Sequence, residues 1–376
     1  MSQLKVNTIR HTGASSDAVT LASDGTCTAQ ITNRSNRNLI INGDMRIAVR
    51  GSTSNDEDGY KHIDRWRVSC GSDGASITTS QETDSPADFV NSLKYTCTSA
   101  AGSTANSSTF NQFIEGQNIA HLNWGSSDAK AVTLSFWVKC SVANIVLGGV
   151  LRNSAYDMTY PFTYTTNGTA NTWTKYTITI PGPTSGTWLT TNGLGIDVGF
   201  NLGSASARLA TVNTWANSIA RGPTGASSLT TVVNSTFFLT GVQLEVGDVA
   251  TDFEHRSYSD ELARCQRYYY KHIAGNNLVV CLGFSSATNQ VSGYIQFPTT
   301  MRATPSIDHT NGDNYYRLGA GNLGGDKYVD GAWALQGATD QSTRIYATPQ
   351  STLTAGEPGL VDTTSASASM AFSAEL

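Results

Sequence analysis

The sequence predicts a mostly β protein with an N-terminal arm, an antiparallel jelly-roll β-sandwich, a short neck helix and a C-terminal β-sandwich domain. Most of the chain consists of short alternating apolar runs separated by Gly, Asn and Ser turns. These runs do not alternate with helical segments, which argues against a nucleotide-binding α/β fold. Only 14% of the residues are charged, and Ser, Thr, Asn and Gly replace them. The predicted divisions are residues 1–37, 38–256, 257–271 and 272–376.

The arm, residues 1–37, has too few apolar side chains to bury a core alone. Its stretch "SSDAVTLASDGTCTAQIT" contains two short β-like runs around the turn signal Ser23-Asp24-Gly25. We predict an arm that pairs when it docks on another chain. A disordered leader is the alternative.

The sandwich, residues 38–256, is predicted from a succession of strand patterns. "AVTLSFWVKCSV" places Val132, Leu134, Phe136 and Val138 on one face. "TWTKYTITIPG" alternates in the same way, and "STFFLTGVQLEVGD" is typical of a long buried strand. Such strands over roughly 220 residues favour a jelly roll. Trp66 and Trp137 lie inside predicted strands, which favours the core for both.

The region 272–376 returns to β patterns after the charged segment that precedes it. "LVVCLGFSS", "VSGYIQFPTTMRATPSI", "AWALQGA" and "STRIYATP" are separated by Gly and Asn turns. They predict a second, smaller β-domain.

One charged, helical stretch, "DFEHRSYSDELARCQRYYYK", separates the two β regions. Ser257 or Ser259 is a suitable N-cap, and acids follow it where the helix dipole favours them. The spacing of four, three and four along the helix is that of a coiled-coil seam; the seam residues are Tyr258, Leu262, Cys265 and Tyr269. We predict a neck at which these residues of identical subunits associate. The alternative is a helix that packs against a β-domain of its own chain.

Composition excludes several classes of function. A net charge of −5 and a pI near 5.7 argue against a nucleic-acid partner. The sequence contains no run of about eighteen apolar residues, so no membrane-spanning helix is predicted. The opening "MSQLKVNTIRHTG" lacks the apolar segment of a secretory signal. The six cysteines are scattered, which predicts reduced thiols in a protein synthesised in a cytoplasm. They do not form the close pairs that a structural zinc site needs. We expect no cofactor and no metal.

No pattern in the sequence predicts catalysis. No G-x-S-x-G nucleophile elbow is present, and no histidine lies in a nucleophile context. The acidic loop "NDEDG", residues 55–59, is interpreted as a solvated hairpin tip, with a calcium loop as the alternative. We therefore expect no catalytic residue and no enzymatic activity.

Sugar binding is the chemistry for which the sequence offers candidates. An exposed aromatic ring can stack on the apolar face of a pyranose, and six aromatic residues lie in turn-like or distal surroundings. These candidate glycan contacts are Trp124, Trp188, Trp215, Tyr315, Tyr316 and Trp333. In "DNYYRLG", alternation along a strand predicts that one tyrosine faces outward if the other faces inward.

Several long segments resemble tail-fibre and related structural proteins of tailed bacteriophages. They are "NLIINGDMRIAVRGS", "YKHIDRWRV", "FIEGQNIAHLNWG", "LSFWVKC" and "GVQLEVGDVATDFEHRSYSDELARCQRYYYK". The opening "LKVNTIRHTGASSDAVTLASDGT" resembles the attachment arms of these proteins, and "FPTTMRATPSI" the start of their distal β-domains. The resemblance covers residues 38–271 closely and the flanking segments loosely.

This resemblance implies a homotrimeric component of the virion tail. Residues 1–37 would attach to the tail or an adaptor protein, and the jelly roll and distal domain would face a host-surface glycan or outer-membrane component. Three alternatives remain at this stage: a polysaccharide-degrading tailspike enzyme, an accessory connector or spike, and a carbohydrate-binding module of a cellular enzyme. The tailspike would need a carboxylate pair in a groove, about 5–10 Å apart.

Overall fold

The chain folds as a mostly β protein with one α-helix in its described part. The computed structural model describes residues 6–10, 12–13, 17–25, 27–29, 35–51, 53–55, 58–70, 75–100, 107–319, 327–329 and 332–376. The predicted fold class is confirmed: antiparallel sheets pack as sandwiches, and helix is confined to one short segment and four single 3₁₀ turns.

The arm contains a three-stranded antiparallel meander. Its strands are β1 Thr8–Ile9, β2 Val19–Leu21 and β3 Cys27–Ala29. Strands β2 and β3 flank the predicted turn at Ser23-Asp24-Gly25, and Gly25 has a φ of +86°, which glycine adopts without a steric penalty. The two β-like runs predicted in the arm are therefore strands.

The first sandwich is built from fourteen strands. They are β4 Thr53–Asn55, β5 Arg67–Ser69, β6 Ser76–Glu82, β7 Ser92–Ser99, β8 Ser107–Glu115, β9 Val132–Cys140, β10 Val146–Arg152, β11 Met158–Thr165, β12 Thr174–Ile180, β13 Leu194–Ser204, β14 Leu209–Ala210, β15 Ala216–Asn217, β16 Gly222–Pro223 and β17 Thr236–Val246. The 3₁₀ turns are Gly116–Asn118, Ala120–Leu122, Ser206–Arg208 and Leu229–Thr231.

Two six-stranded antiparallel sheets enclose the main core. One has the order β15-β11-β10-β13-β8-β5 and the other β12-β9-β17-β7-β6-β4. On β9 the predicted face, Val132, Leu134, Phe136 and Val138, is buried in this core. The alternation of that strand is confirmed because its pleat sends every second side chain inward. Trp66 is also fully buried, as predicted.

The helix α1, Tyr258–Gln266, begins where predicted and ends earlier. Ser257 is the N-cap, and its Oγ accepts a hydrogen bond from the Asp260 N–H at 3.1 Å. The predicted span of 257–271 is too long, since Tyr269 already lies in a β-strand that pairs with the C-terminal strand of the chain. The ladder to that strand overrides the helical spacing.

The second β region contains ten strands in two sheets. They are β18 Tyr269–Ala274, β19 Val279–Ala287, β20 Gln290–Gln296, β21 Ser306–His309, β22 Tyr316–Gly319, β23 Lys327–Val329, β24 Ala334–Gln336, β25 Ser342–Ala347, β26 Pro358–Thr363 and β27 Ser369–Ser373. A three-stranded sheet has the order β18-β27-β21, and a seven-stranded sheet has the order β23-β22-β26-β19-β20-β25-β24. A separate apolar core lies in this region.

Helix α1 packs against its own chain. Cys265 is 1% exposed and shares a small core with Ile41, Ile47 and Tyr268. The predicted seam is thus wrong for Cys265 and Tyr269, both of which are buried within the subunit. The apolar stripe of the helix is used by a segment more than 200 residues earlier in sequence.

The two remaining seam residues differ from each other. Leu262 is partly buried against the same small core. Tyr258 is 56% exposed and is therefore the seam residue with the most surface free for another subunit.

Buried charges join the two β regions. Glu375, near the C-terminus, pairs with Arg50 at 2.7 Å and also with Arg65. The guanidinium carbon of Arg50 lies 3.5 Å from the ring centroid of Tyr269, and that of Arg65 lies 3.5 Å from the ring centroid of Tyr268. These contacts combine charge pairing with cation–π attraction at low exposure. The segment between the sandwiches is therefore a tightly packed junction.

Two composition-based expectations are also addressed by the structure. All six cysteines are free thiols, and three of them (Cys97, Cys140 and Cys265) are buried. Within the described residues, no helix has the length and apolar character needed to span a bilayer.

Candidate functional site

A groove lies on the outer face of the sheet that contains β9, β12 and β17. Its volume is about 540 Å³, within the range of about 300–1,000 Å³ common for small-molecule sites. Strands β9 and β12 contribute its floor, where Trp137 pairs with Lys175 in the antiparallel ladder. The loop between β6 and β7 and the segment after β17 form the walls. The lining residues are Ala87, Asp88, Phe89, Ser135, Trp137, Lys175, Gly241, Asp252, Phe253 and His255.

A β-bulge in β17 shapes the floor. The register between β17 and β9 shifts between Thr240 and Gln243, and Gly241 has a φ of +61°. A Cβ at this position would lie 2.7 Å from Cζ of Phe89 and 2.8 Å from Cδ1 of Trp137. Glycine therefore allows both rings to approach the strand closely, as bulges beside functional sites often do.

The second wall is fixed by one buried amide. The side chain of Gln243 is fully buried, its Nε2 donates to the Asp252 carbonyl at 3.2 Å, and its Oε1 accepts from the Glu254 N–H at 2.8 Å. These bonds hold the segment 252–255 along the edge of the groove. Phe253 and His255 line the groove.

Three rings form a compact cluster at this wall. The ring centroids of Phe89 and Phe253 are 5.0 Å apart, and that of His255 lies 5.4 Å and 4.9 Å from them, respectively. Trp137 is partly exposed beside them, and its indole N–H has no hydrogen-bond partner among the described residues. The groove thus offers aromatic surface and the indole N–H of Trp137 as a donor.

The polar groups around these rings are of both signs. Asp88, Asp252, Lys175 and His255 are all exposed along the groove. Carboxylates accept hydrogen bonds from hydroxyl groups, and ammonium and imidazole groups can donate to ring or hydroxyl oxygens. Apolar surface bordered by such groups suits a ligand that has a C–H face and many hydroxyls.

Sequence reasoning missed this groove because it assigned Trp137 to the core. The strand position was correct, but Trp137 alternates with the buried face of β9 and so faces outward. The signal that was available is the alternation itself, since Val138 and Phe136 already occupied the inner face.

Three of the predicted glycan contacts lie together at one end of the first sandwich. The ring centroids of Trp124 and Trp188 are 4.7 Å apart, and Trp215 lies 5.5 Å and 5.4 Å from them, respectively. Each indole N–H donates to a backbone carbonyl: those of Lys130, Ser185 and Pro181. Trp124 and Trp188 are each only 8% exposed. Packing covers their ring faces, which corrects the prediction for these two.

Trp215 differs from its two neighbours because it remains partly exposed. Its role as a glycan contact stays a prediction.

The three candidates in the second β region are mostly internal. Tyr316 is 1% exposed and Trp333 is 2% exposed, and their ring centroids are 5.6 Å apart. Both belong to the core, so neither ring face is free for a sugar, and the prediction for them is wrong. Tyr315 is partly exposed, which agrees with the expected alternation of the pair. It stays a candidate.

The acidic loop 55–59 is only partly described, since residues 56–57 lie outside the described residues. Asp58 accepts a hydrogen bond from the Cys70 N–H at 2.6 Å. Among the described residues, no group of three or more His, Cys, Asp or Glu side chains has the arrangement of a metal site.

Comparisons with known proteins add similarities of architecture. No protein-family model and no curated protein matches the chain. A tailspike protein 4 domain of bacteriophage CBA120 aligns over 56% of this chain and 22% of its own, with 13% identity and a TM-score of 0.31. This chain therefore spans about a fifth of the length of that tailspike structure.

Carbohydrate-binding modules are also among the similar structures. A xylan-binding domain of Paenibacillus barcinonensis Xyn10C aligns over 54% of this chain and 100% of its own, at 11% identity and a TM-score of 0.28. A family 11 module from a Clostridium thermocellum cellulase aligns over 53% and 95%, at 13% identity and a TM-score of 0.26.

Proposed function

We propose that this chain is a glycan-binding structural protein of a bacteriophage tail, acting in adsorption to a host surface. The observation that carries the proposal is the groove of Trp137, Phe89 and Phe253, bordered by exposed Asp88 and Asp252. The likeness of residues 38–271 to tail-fibre segments supports the viral setting. The partner of the groove is a short run of neutral sugar units.

The arm supports attachment to another protein. Three of its apolar residues, Val6, Ile9 and Leu21, are 37%, 55% and 40% exposed, respectively. A three-stranded meander this short cannot bury a core of its own. In the proposed function, residues 1–37 dock these side chains on a tail or adaptor protein.

The proposal includes a homotrimer, which the resemblance to tail-fibre segments implies. A threefold arrangement of weak sites would raise avidity by about 10²–10⁴ without new contacts. Light scattering on the full chain tests it, and the expected mass is three times 40.0 kDa. A monomer would contradict it.

The groove is tested by Trp137→Ala on a glycan array followed by calorimetry with the best neutral oligosaccharide. We expect the affinity to fall at least tenfold, since a stacked aromatic ring is commonly a dominant contact in a binding site. Tyr294→Ala is the matched control, because Tyr294 is 59% exposed on the other sandwich. Equal affinity of wild type and Trp137→Ala would refute the groove as the binding site.

A second candidate function is cleavage of a polysaccharide. Asp88 and Asp252 line the same groove, and glycoside hydrolysis uses two carboxyl groups across a bound sugar. Binding without cleavage is our proposal because both carboxyl groups are exposed, whereas a general acid is typically held in an apolar setting. Release of reducing ends that disappears in Asp88→Asn and Asp252→Asn would favour the enzyme.

A further inference from the structure

Four arginines gather on the outer face of the other sheet of the first sandwich. Arg152 on β10 pairs with Asp197 on β13 in the ladder, and Arg67 on β5 lies opposite Asn111 on β8. The segment after β13 crosses this face and brings Arg208 and Arg221 together, where the Arg221 N–H donates to the Arg208 carbonyl at 2.7 Å. Four separate parts of the chain therefore converge here.

Among the described residues, one acid, Asp197, pairs within this cluster, and it is already used. Asp197 is fully buried, with Oδ1 accepting from the Asn111 amide at 2.7 Å and Oδ2 accepting from Arg152. The side chains of Arg67, Arg208 and Arg221 have no hydrogen bond or ion pair with any described residue, and all three are only partly exposed. Within the part of the chain that the structure describes, four guanidinium groups against one carboxylate leave a local surplus of three positive charges.

Arg152 shows that the surplus is not fully solvated. Its side chain is 4% exposed, and its Nε has no hydrogen-bond partner among the described residues. Tyr156 covers its guanidinium, with the ring centroid 4.4 Å from Cζ. Tyr156 has a φ of +57°, a conformation that bulky residues rarely adopt.

The charges act on one another. The pKa of Arg221 is lowered, first by burial and then by the like charge of Arg152, with Arg208 and Arg67 acting in the same direction and Asp197 against them. Repulsion of this kind in a chain with a net charge of −5 is relieved by a bound anion, because guanidinium groups pair well with carboxylate and phosphate oxygens.

We infer that Arg67, Arg152, Arg208 and Arg221 form a second binding site, which takes an oxyanion substituent of an acidic polysaccharide, either a carboxylate or a phosphate. The site lies on the opposite sheet from the groove, so the two do not share a residue. The oxyanion follows from the arginines alone. Its origin in a polysaccharide rests on the proposed function.

Calorimetric titrations with three probes test the inference: trigalacturonate, inorganic phosphate and uncharged galactotriose. We expect at least one of the two charged probes to bind at the arginine cluster. Any affinity for galactotriose should be unchanged by substitutions in the cluster. Arg221→Gln and Arg208→Gln should each weaken the charged probe at least tenfold, because a charge-assisted hydrogen bond is lost. Lys130→Gln, which removes an exposed cation elsewhere, is the charge-matched control.

The thermal stability of these variants separates a binding role from a structural one. Arg208 and Arg221 have no side-chain partners among the described residues, so Arg221→Gln should leave the melting temperature unchanged or raise it, while affinity falls. A variant that loses both would indicate packing and would overturn the inference.

The remaining outcomes are also decisive. Binding of trigalacturonate assigns a carboxylate, and binding of phosphate alone assigns a phosphate substituent. Absence of binding by both probes, or equal weakening by Lys130→Gln, overturns the site, as does a DNA duplex that binds more tightly than either probe. Failure of Trp137→Ala to affect neutral glycans would refute the groove and leave this result intact.

Discussion

Replacement of Asp64 by asparagine should change how the stability of the protein depends on pH. Asp64 is fully buried, and its Oδ2 accepts from the Val49 N–H at 2.7 Å. Its Oδ1 lies 3.7 Å from Nε of Arg50 and has no hydrogen-bond partner among the described residues. Burial raises the pKa of this carboxyl to about 7 from an ordinary 3.8, although Arg50 acts in the opposite direction.

The sign follows from where the proton is bound. Between about pH 4 and pH 7 the folded state holds a proton on Asp64 that the unfolded state has lost, so stability falls as the pH rises through this window. A difference of about three pH units at about 1.4 kcal/mol each gives a loss of up to ~4 kcal/mol, complete above pH 7. Below pH 4 this contribution is constant.

Asp64→Asn mimics the protonated carboxyl and therefore removes the loss of stability that wild type shows between about pH 4 and pH 7. Asparagine can also accept from the Val49 N–H. At pH 5, about one pH unit above the ordinary pKa of 3.8, the variant should therefore be more stable than wild type by only about 1.5 kcal/mol. At pH 8.5, where the loss is complete, it should be more stable by about 4 kcal/mol. Urea unfolding followed by tryptophan fluorescence measures this, because Trp66 lies near Asp64 in the same buried region.

The comparison across pH is what tests the reasoning. Asp128→Asn, at an exposed position, controls for the loss of one negative charge. If Asp64→Asn differs from wild type by the same amount at pH 5 and pH 8.5, then Asp64 is charged throughout and the argument from burial is refuted.

Two further substitutions test the junction and the groove. Glu375→Gln should destabilise the protein by about 3–5 kcal/mol, because Arg50 and Arg65 lose a buried partner; urea unfolding measures this, and an unchanged midpoint would show that both arginines find other partners. Gly241→Ala should cost about 1–3 kcal/mol through displaced rings and weaken neutral glycan binding in calorimetry. Gly247→Ala is its control, since φ there is also positive (+116°) but no atom lies within 4 Å of the new Cβ, and a loss of affinity in both variants would contradict the steric argument.

Local signals predicted much of the fold. The inner face of β9 follows from alternation, and the start of α1 at Ser257 follows from a capping side chain and the acids after it. Both features depend on residues within a few positions of one another. The information needed to predict them is therefore present in a single sequence. The turn at Ser23-Asp24-Gly25 was predictable for the same reason.

Long-range packing decided what the sequence could not show. The apolar stripe of α1 predicted a partner, but spacing does not indicate whether the partner is another subunit or the chain's own Ile41 and Ile47. Likewise, the aromatic candidates were chosen because they lie in turns, and Trp124 and Trp188 became buried because loops at one end of a sandwich meet. The groove is assembled from segments near 88, 137, 175 and 253, which no local pattern connects.

The stretch 252–256 links the groove to the junction. Phe253 and His255 face the groove, whereas Glu254 accepts from the Asn38 N–H at 2.8 Å and Arg256 pairs with Glu261 of α1 at 3.3 Å. This segment cannot shift without breaking buried, charge-assisted bonds on its other face. The wall of the groove is therefore ordered before a ligand arrives. Ordering a side chain on binding costs about 0.5–1.5 kcal/mol. Because the contacts of Glu254 and Arg256 already hold this stretch in place, the groove is a preorganised site.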